Sequence, residues 1–313
     1  MTVDNRNRFF GNNKIFGAVA VCIAAAAWGV DGVLLTPNLL NRSGLPLDAA
    51  YVVMVVHAIP FLIMNIIFFR FYKLLKSFSL SDVLYVLGVS LFGGVLGTMC
   101  IVKALFLVNF QNLTIIALLQ KLQPFFAIML SVLLLKEKPS KHYYLWALVA
   151  MIGGYVMTFG FALPASVGQN VIQASLLALL AAFSFGSSTV FSKKLLIHYP
   201  AESITLFRYG LTTAISLVIV IFNDKLSEFG NTPTMSWLLF VIIAFTTGSG
   251  AILLYYYGLK HIKASLSTIC ELCFPISACV IDYFVNDNTM SMIQWLGALL
   301  MMIAIFKISF GGD

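Results

Sequence analysis

Charge is what this chain has least of. Only 10% of its 313 residues are Asp, Glu, Lys or Arg, against 60% hydrophobic, and the mean hydropathy is +0.96. So few charges cannot cover a soluble core of this size, since a water-facing surface needs roughly a quarter to a third of its residues charged. The signatures of covalent chemistry are missing as well. No glycine loop with phosphate-binding spacing, no metal-ligand spacing and no nucleophile-base pattern occurs. No catalytic residue, metal or cofactor is therefore expected, and an intramembrane enzyme is disfavoured. The five cysteines, Cys22, Cys100, Cys270, Cys273 and Cys279, all fall in apolar runs. No strand precedes Cys270-x-x-Cys273, so these read as small buried hydrophobes rather than a redox pair.

What fills the chain instead is a succession of apolar runs about as long as a helix must be to cross a bilayer, roughly 17 to 25 residues. They read as about ten spans. The first half holds Ile15 to Leu35, Ala50 to Phe69, Val83 to Phe106, Leu113 to Leu135 and Tyr143 to Phe161. The second holds Val171 to Leu195, Ile204 to Phe222, Trp237 to Leu259, Leu266 to Val285 and Ile293 to Ser309. The expected fold class is an all-α integral membrane protein of the cell (inner) membrane. The first run continues past Ala24 to Ala27 with no loop where a cleaved product would begin, so it reads as a retained helix.

The net charge of +7 is distributed unevenly. Arg6, Arg8, Lys14, Arg70, Lys73, Lys76, Lys136, Lys138, Lys141, Lys193, Lys194, Lys260, Lys263 and Lys307 all fall on one side if the spans alternate. The other side holds Arg42 and Lys225 among Asp48, Asp224, Glu228 and Asp287. The positive-inside rule then puts both termini in the cytoplasm, and it accounts for the basic balance without a nucleic-acid partner.

The two halves echo each other. Gly97 matches Gly248, Gln120 matches Glu271, Pro124 matches Pro275 and Ala127 matches Ala278, all at one offset; Ala27-Trp28-Gly29 and Ser184-Phe185-Gly186 match at a slightly larger one. Residues 15–162 and 171–310 thus read as two five-helix repeats. With an odd number of spans in each, the second enters from the opposite side, so the repeats are inverted, a sign of secondary transporters.

An ionisable side chain inside the membrane needs a partner, a wet cavity or a task. Lys121 stands between Gln120 and Gln123, just before Pro124 and about 13 Å down its helix, close to the midplane. The proline frees the carbonyl of Gln120, so this cluster points to a polar cavity. On the ninth span Ala264, Thr268, Glu271, Pro275, Ala278 and Asp282 share one face. Glu271 has two open readings: a neutralising partner of Lys121, or a desolvated carboxylate that carries a coupling proton. Asp31 and Lys103, near the outer ends of their helices, are coupling or gating candidates expected to pair with each other. Arg208 is expected near a span end, where it can snorkel, and His57 as a satisfied interior histidine. Trp28 and one of Tyr255, Tyr256 and Tyr257 can form an aromatic wall, with Tyr256 chosen.

The chain resembles the drug/metabolite transporter superfamily, and within it the EamA-type ten-helix carriers. The likeness rests on Ala24 to Gly29, Gly97 through Lys103-Ala104-Leu105, Thr114 to Pro124 and Leu133 to Pro139. In the second half it rests on Ala181 to Gly186, Tyr257-Gly258-Leu259, Ser265 to Pro275 and Gly297-Ala298. The resemblance implies a central cavity lined by the first and sixth, third and fourth, and eighth and ninth helices, with alternating access. It would turn Trp28, Lys121, Glu271 and Tyr256 toward the solute. One departure is Asn286-Asp287-Asn288, which stands where the first repeat has Leu135-Lys136-Glu137.

The leading expectation is a secondary carrier, monomeric and surrounded by membrane lipid, for a small polar or zwitterionic metabolite such as an amino acid. Lys121, Gln120 and Gln123 would receive the carboxylate, and Trp28 the apolar part. Three alternatives stay open: an organic-cation carrier using Glu271 and aromatic residues, a carrier of nucleotide-linked or phosphorylated solutes, and a non-transporting scaffold or sensor.

Overall fold

Residues 3–42, 47–107, 119–120, 122–159, 169–286 and 291–310 are described by a computed structural model. Every regular element among them is helical. In chain order these are α1 (Val3–Val30), α2 (Thr36–Arg42), α3 (Ala49–Ile67), α4 (Leu80–Gly88), α5 (Gly97–Leu107), α6 (Gln123–Leu134) and α7 (Lys141–Phe159). Then come α8 (Gln169–Leu196), α9 (Ala201–Phe222), α10 (Glu228–Asn231), α11 (Thr234–Ile243), α12 (Ser249–His261), α13 (Ala264–Cys270), α14 (Cys273–Asn286) and α15 (Met292–Phe310). A 3₁₀ helix, Phe69–Ser77, joins α3 to α4.

Seven helical stretches among the described residues are long and apolar enough to cross a membrane: Asn13–Leu39, Ala49–Ile67, Leu80–Ala104, Ile172–Leu196, Ala201–Phe222, Thr234–His261 and Ala264–Val285. Local chemistry sets several boundaries. The Asp48 carboxylate accepts from the backbone N–H of Ala50 at 2.8 Å and of Tyr51 at 3.3 Å, which starts α3. Ser79 and Asp82 form a reciprocal capping box at α4.

Three spans contain π-helical turns: Asp31–Leu35 between α1 and α2, Val89–Leu96 between α4 and α5, and Ala244–Gly248 between α11 and α12. The second is followed directly by Gly97 and the third ends at Gly248, matched positions of the two sequence repeats. A π turn loosens the regular ladder and is found mostly at functional positions. The spans carrying Pro124 and Pro275 are interrupted, whereas α3 runs unbroken through Pro60. Residues 119–120 are helical, Leu122 is a turn, and α6 restarts at Gln123 with Pro124 in its first turn. In the second repeat α13 stops at Cys270 and α14 begins at Cys273, so the break falls at Glu271-Leu272. Pro275 cannot donate to the Glu271 carbonyl, which accepts instead from Phe274 at 3.0 Å.

The two repeats interlock through equivalent residues. A Cβ built on Gly29 of α1 would lie 2.8 Å from the Phe274 carbonyl oxygen and 2.8 Å from the Ala278 nitrogen of α14. One on Gly186 of α8 would lie 3.0 Å from the Gln123 carbonyl oxygen and 3.1 Å from the Ala127 nitrogen of α6. Each repeat's first helix therefore crosses the other repeat's fourth, backbone to backbone, at matched positions. Small residues allow such approach where lipid offers no hydrophobic drive to helix association.

Because the Gly29 contacts are to backbone atoms, no rotamer change relieves them. Gly29→Val should lower the thermal unfolding midpoint by about 3 to 10 °C, from an overpacking cost of roughly 1–3 kcal/mol. Gly230→Ala, where nothing lies within 4 Å of the new atom, should leave the midpoint unchanged. Equal midpoints for both variants by tryptophan fluorescence would contradict the close crossing.

Candidate functional site

The helix break at Glu271 puts its side chain where four helices converge. The Gln123 amide Nε2, from α6 in the first repeat, donates to Glu271 Oε2 at 2.6 Å. The Tyr255 hydroxyl on α12 donates to Glu271 Oε1 at 2.8 Å, and Ser267 on α13 stands 3.5 Å from the same oxygen. Since Tyr255 has one proton to give, the Thr189 hydroxyl on α8, 2.8 Å away, donates to it. The Tyr255 ring meets Trp28 of α1, with centroids 5.4 Å apart and planes tilted by 53°. Trp28 is itself fixed by its indole N–H, which donates to the Thr247 carbonyl at 2.9 Å, in the π turn between α11 and α12. The π turn and the helix break of the second repeat thus meet at one cluster.

This arrangement offers a half-buried tryptophan face beside a carboxylate and a primary amide. It can stack a flat solute and exchange hydrogen bonds at the ring edge. Glu271 receives neutral donors, and no described cation lies within ion-pair distance of it; the ion pair among the described residues is Lys225 with Glu228, at 3.8 Å. No group of His, Cys, Asp and Glu suited to a metal occurs among the described residues.

Of the residues singled out in the sequence, Trp28, Gln123 and Glu271 come together. Lys121 lies outside the described residues, and with it the Lys121–Glu271 pair; Gln120 is helical and half-buried at the head of the same break. Tyr256 needs correcting. It is fully buried, accepting from Ser192 at 2.9 Å and from Arg208 Nη1 at 2.9 Å, and its neighbour Tyr255 carries the hydroxyl that reaches Glu271. The expected pair of Asp31 and Lys103 is also absent. Asp31 lies in a π turn and accepts from Thr36 at 3.0 Å, while Lys103 is exposed on α5.

Arg208 departs furthest from expectation. Rather than snorkelling from a span end it is 8% exposed, donating to the Tyr256 hydroxyl and, from Nη2, to the Gly93 carbonyl at 3.1 Å. Its Nε has no partner among the described residues. The guanidinium carbon lies 5.8 Å from the Tyr256 ring centroid, so a hydroxyl, a carbonyl and a π face substitute for a carboxylate. Tyr255 and Tyr256 are consecutive, with ring centroids 5.8 Å apart. One turn of α12 therefore carries the hydroxyl bound to Glu271 and the one bound to Arg208.

At one end of the bundle Glu137 performs a role the sequence did not disclose. Lys136, with φ 55, turns the chain at the close of α6. The Glu137 carboxylate then accepts from the backbone N–H of Ala264 at 2.7 Å and of Ser265 at 3.1 Å, and from the Ser265 hydroxyl at 2.6 Å. It caps α13 across the repeat boundary, and the Tyr143 hydroxyl donates to the Ser265 carbonyl beside it. The signal was available in Lys263-Ala264-Ser265 opening an apolar helix with no acidic cap of its own. A cavity of about 230 Å³ opens next to this cap, between Lys14, Pro139, Tyr143 and Lys263; Glu271 and Trp28 are not among its lining.

A family model described as the EamA-like transporter family matches residues 15–159 and again 172–310. A protein named Riboflavin transporter ImpX, from Fusobacterium nucleatum subsp. nucleatum, is 50% identical over 300 residues, covering 95% of this chain and 99% of its own length. A protein named Uncharacterized transporter sll1164, from Synechocystis sp., is 27% identical over 200 residues, 61% of this chain and 56% of its own. A solved crystal structure superposes with a TM-score of 0.67 over 92% of this chain and 95% of its own, at 16% identity, a likeness of fold alone. The chain belongs to the EamA-like transporter family: it is a multi-pass protein of the bacterial cell membrane that carries a small-molecule solute, and it is not an enzyme.

Proposed function

We propose that the solute is riboflavin or a close flavin analogue, carried by alternating access between two inverted five-helix repeats, 15–162 and 171–310, with both termini cytoplasmic. The observation that carries this reading is the 50% identity, over nearly the whole of both chains, with a protein named as a riboflavin transporter. The chemistry of the cluster agrees with it. Riboflavin joins a flat tricyclic ring to a chain of hydroxyls, and one ring edge presents an imide N–H between two carbonyls. The half-buried Trp28 face suits the ring, Glu271 suits the imide N–H, and the Gln123 amide suits a flanking carbonyl. A vitamin of this kind replaces the amino acid as the leading solute, because the amino-acid reading rested on Lys121 as carboxylate receptor.

Purified protein in liposomes should take up riboflavin saturably, monitored by flavin fluorescence, with lumiflavin competing and amino acids inert. Trp28→Ala should lower uptake efficiency about tenfold through loss of stacking, and Trp28→Phe much less. Uptake absent for riboflavin, or displaced by amino acids, would overturn the assignment.

A second reading concerns energy coupling, and it rests on the neutral donors around Glu271. A carboxylate so placed in a membrane interior can take up and release a proton with solute. An imposed pH gradient should accelerate flavin uptake by the natural sequence. Glu271→Gln should lose that response while keeping solute counterflow; a gradient response retained in Glu271→Gln removes the coupling role.

A further inference from the structure

The 3₁₀ helix between α3 and α4 is long for its kind, nine residues where runs beyond three or four are uncommon. With three residues per turn, positions three apart eclipse one another. Arg70, Lys73 and Lys76 therefore stand in one row, about 6 Å apart at a rise of about 2.0 Å per residue. Tyr72 and Leu75 share a second row with Phe69; Phe71 and Leu74 form a third, and Phe78 follows the helix in extended backbone. An α-helix would rotate the three cations by about 60° at each step and mix them with the aromatic residues.

The three rows meet different surroundings. Phe71 and Leu74 are half-buried against the bundle, with Phe71 5.9 Å from the Phe68 ring. Tyr72, Leu75 and Phe78 form one wall of an apolar groove of about 330 Å³, whose other walls are α3, α4 and α9 through Phe61, Leu87 and Leu211. Leu75 and Leu87 are 48% and 39% exposed, so the groove opens outward from the bundle. The basic row is exposed, and none of its members pairs with a described carboxylate. The nearest acid in sequence, Asp82, is occupied by the Ser79 backbone N–H at 2.9 Å and the Tyr199 hydroxyl at 2.9 Å.

From this adjacency we infer that the groove is a binding site for an anionic phospholipid, with an acyl chain along Tyr72, Leu75 and Phe78 and the phosphate on the row Arg70, Lys73 and Lys76. The helix lies where a span ends, so its cations sit at headgroup level while the groove continues beneath them along α3 and α4. Adjacent cations about 6 Å apart can share one phosphate between them. Diffuse attraction alone would enrich anionic lipid along the whole basic face without seating an acyl chain against Leu75.

The test uses the full chain carrying Leu75→Trp, reconstituted with brominated phosphatidylglycerol or brominated phosphatidylcholine; the parent chain with its four tryptophans sets the background. Quenching of the new tryptophan should need at least tenfold less phosphatidylglycerol than phosphatidylcholine. Arg70→Gln, Lys73→Gln and Lys76→Gln together should erase the preference, each charge contributing roughly fivefold. Free glycerol phosphate should not displace the lipid. Equal quenching by the two lipids overturns the site, and that comparison needs no charge variant to fold. A preference that survives the triple substitution also overturns it, as does displacement by glycerol phosphate, which would mark a soluble-anion site.

Discussion

The Glu271 carboxylate, received by Gln123 from one repeat and Tyr255 from the other, is the contact around which the interior is arranged. In hydrocarbon an unsatisfied polar group costs several kcal/mol, so a carboxylate can persist there only if the fold brings donors to it. That demand propagates outward. Tyr255 must be held by Thr189, the interruption at Glu271-Leu272 must aim the side chain inward, and α6 must restart at Gln123. The break is thus the geometric condition for placing an acid among four helices.

The same economy governs Arg208. With no described carboxylate beside it, its charge is spread over a tyrosine hydroxyl, a tyrosine face and the Gly93 carbonyl. That carbonyl lies in the π segment Val89–Leu96, where the regular ladder is loosened and a backbone oxygen can turn to a side chain. Tyr255 and Tyr256 bring the acid and the base onto one turn of α12 without letting them touch. A direct buried ion pair would be rigid and costly to separate, whereas two hydroxyl-mediated contacts can be exchanged one at a time.

The architecture was legible because bilayer thickness and hydrocarbon chemistry act on residue types directly. Run length marked the seven spans seen among the described residues, and the shared offset marked Gly97 with Gly248 and Pro124 with Pro275. The crossings of Gly29 on Phe274 and Ala278, and of Gly186 on Gln123 and Ala127, are that offset made three-dimensional. The site was legible only in part. Glu271 and Gln123 stood out because polar residues are expensive in a span, and Trp28 because of its matched place. Which of two adjacent tyrosines faced Glu271 could not be read, because they point about 100° apart on the helix and the facing direction depends on how α12 packs. The burial of Arg208 was not legible, because nearness to a helix end in sequence is not nearness to water. In the fold, Gly93 of the π segment Val89–Leu96 and Tyr256 of α12 take up its guanidinium.

Symmetry and its loss divide the labour between the repeats. Matched glycines and matched breaks give the two repeats equivalent crossings. The chemistry sits where the match fails: Gln120 in one copy is Glu271 in the other. Glu137, too, caps the opposite repeat's helix, while Asp287-Asn288 at the matching place lies outside the described residues. The Glu137 cap comprises three charge-assisted hydrogen bonds, each with a net worth of roughly 1.5–3 kcal/mol. Ties of that size hold α13 to the close of α6, yet their sum is comparable to the binding free energy of a micromolar solute, about 8 kcal/mol. For the alternating access proposed above, an end latched by exchangeable polar contacts and a middle pinned through a single carboxylate form a frame that solute binding can rearrange without disturbing the glycine crossings.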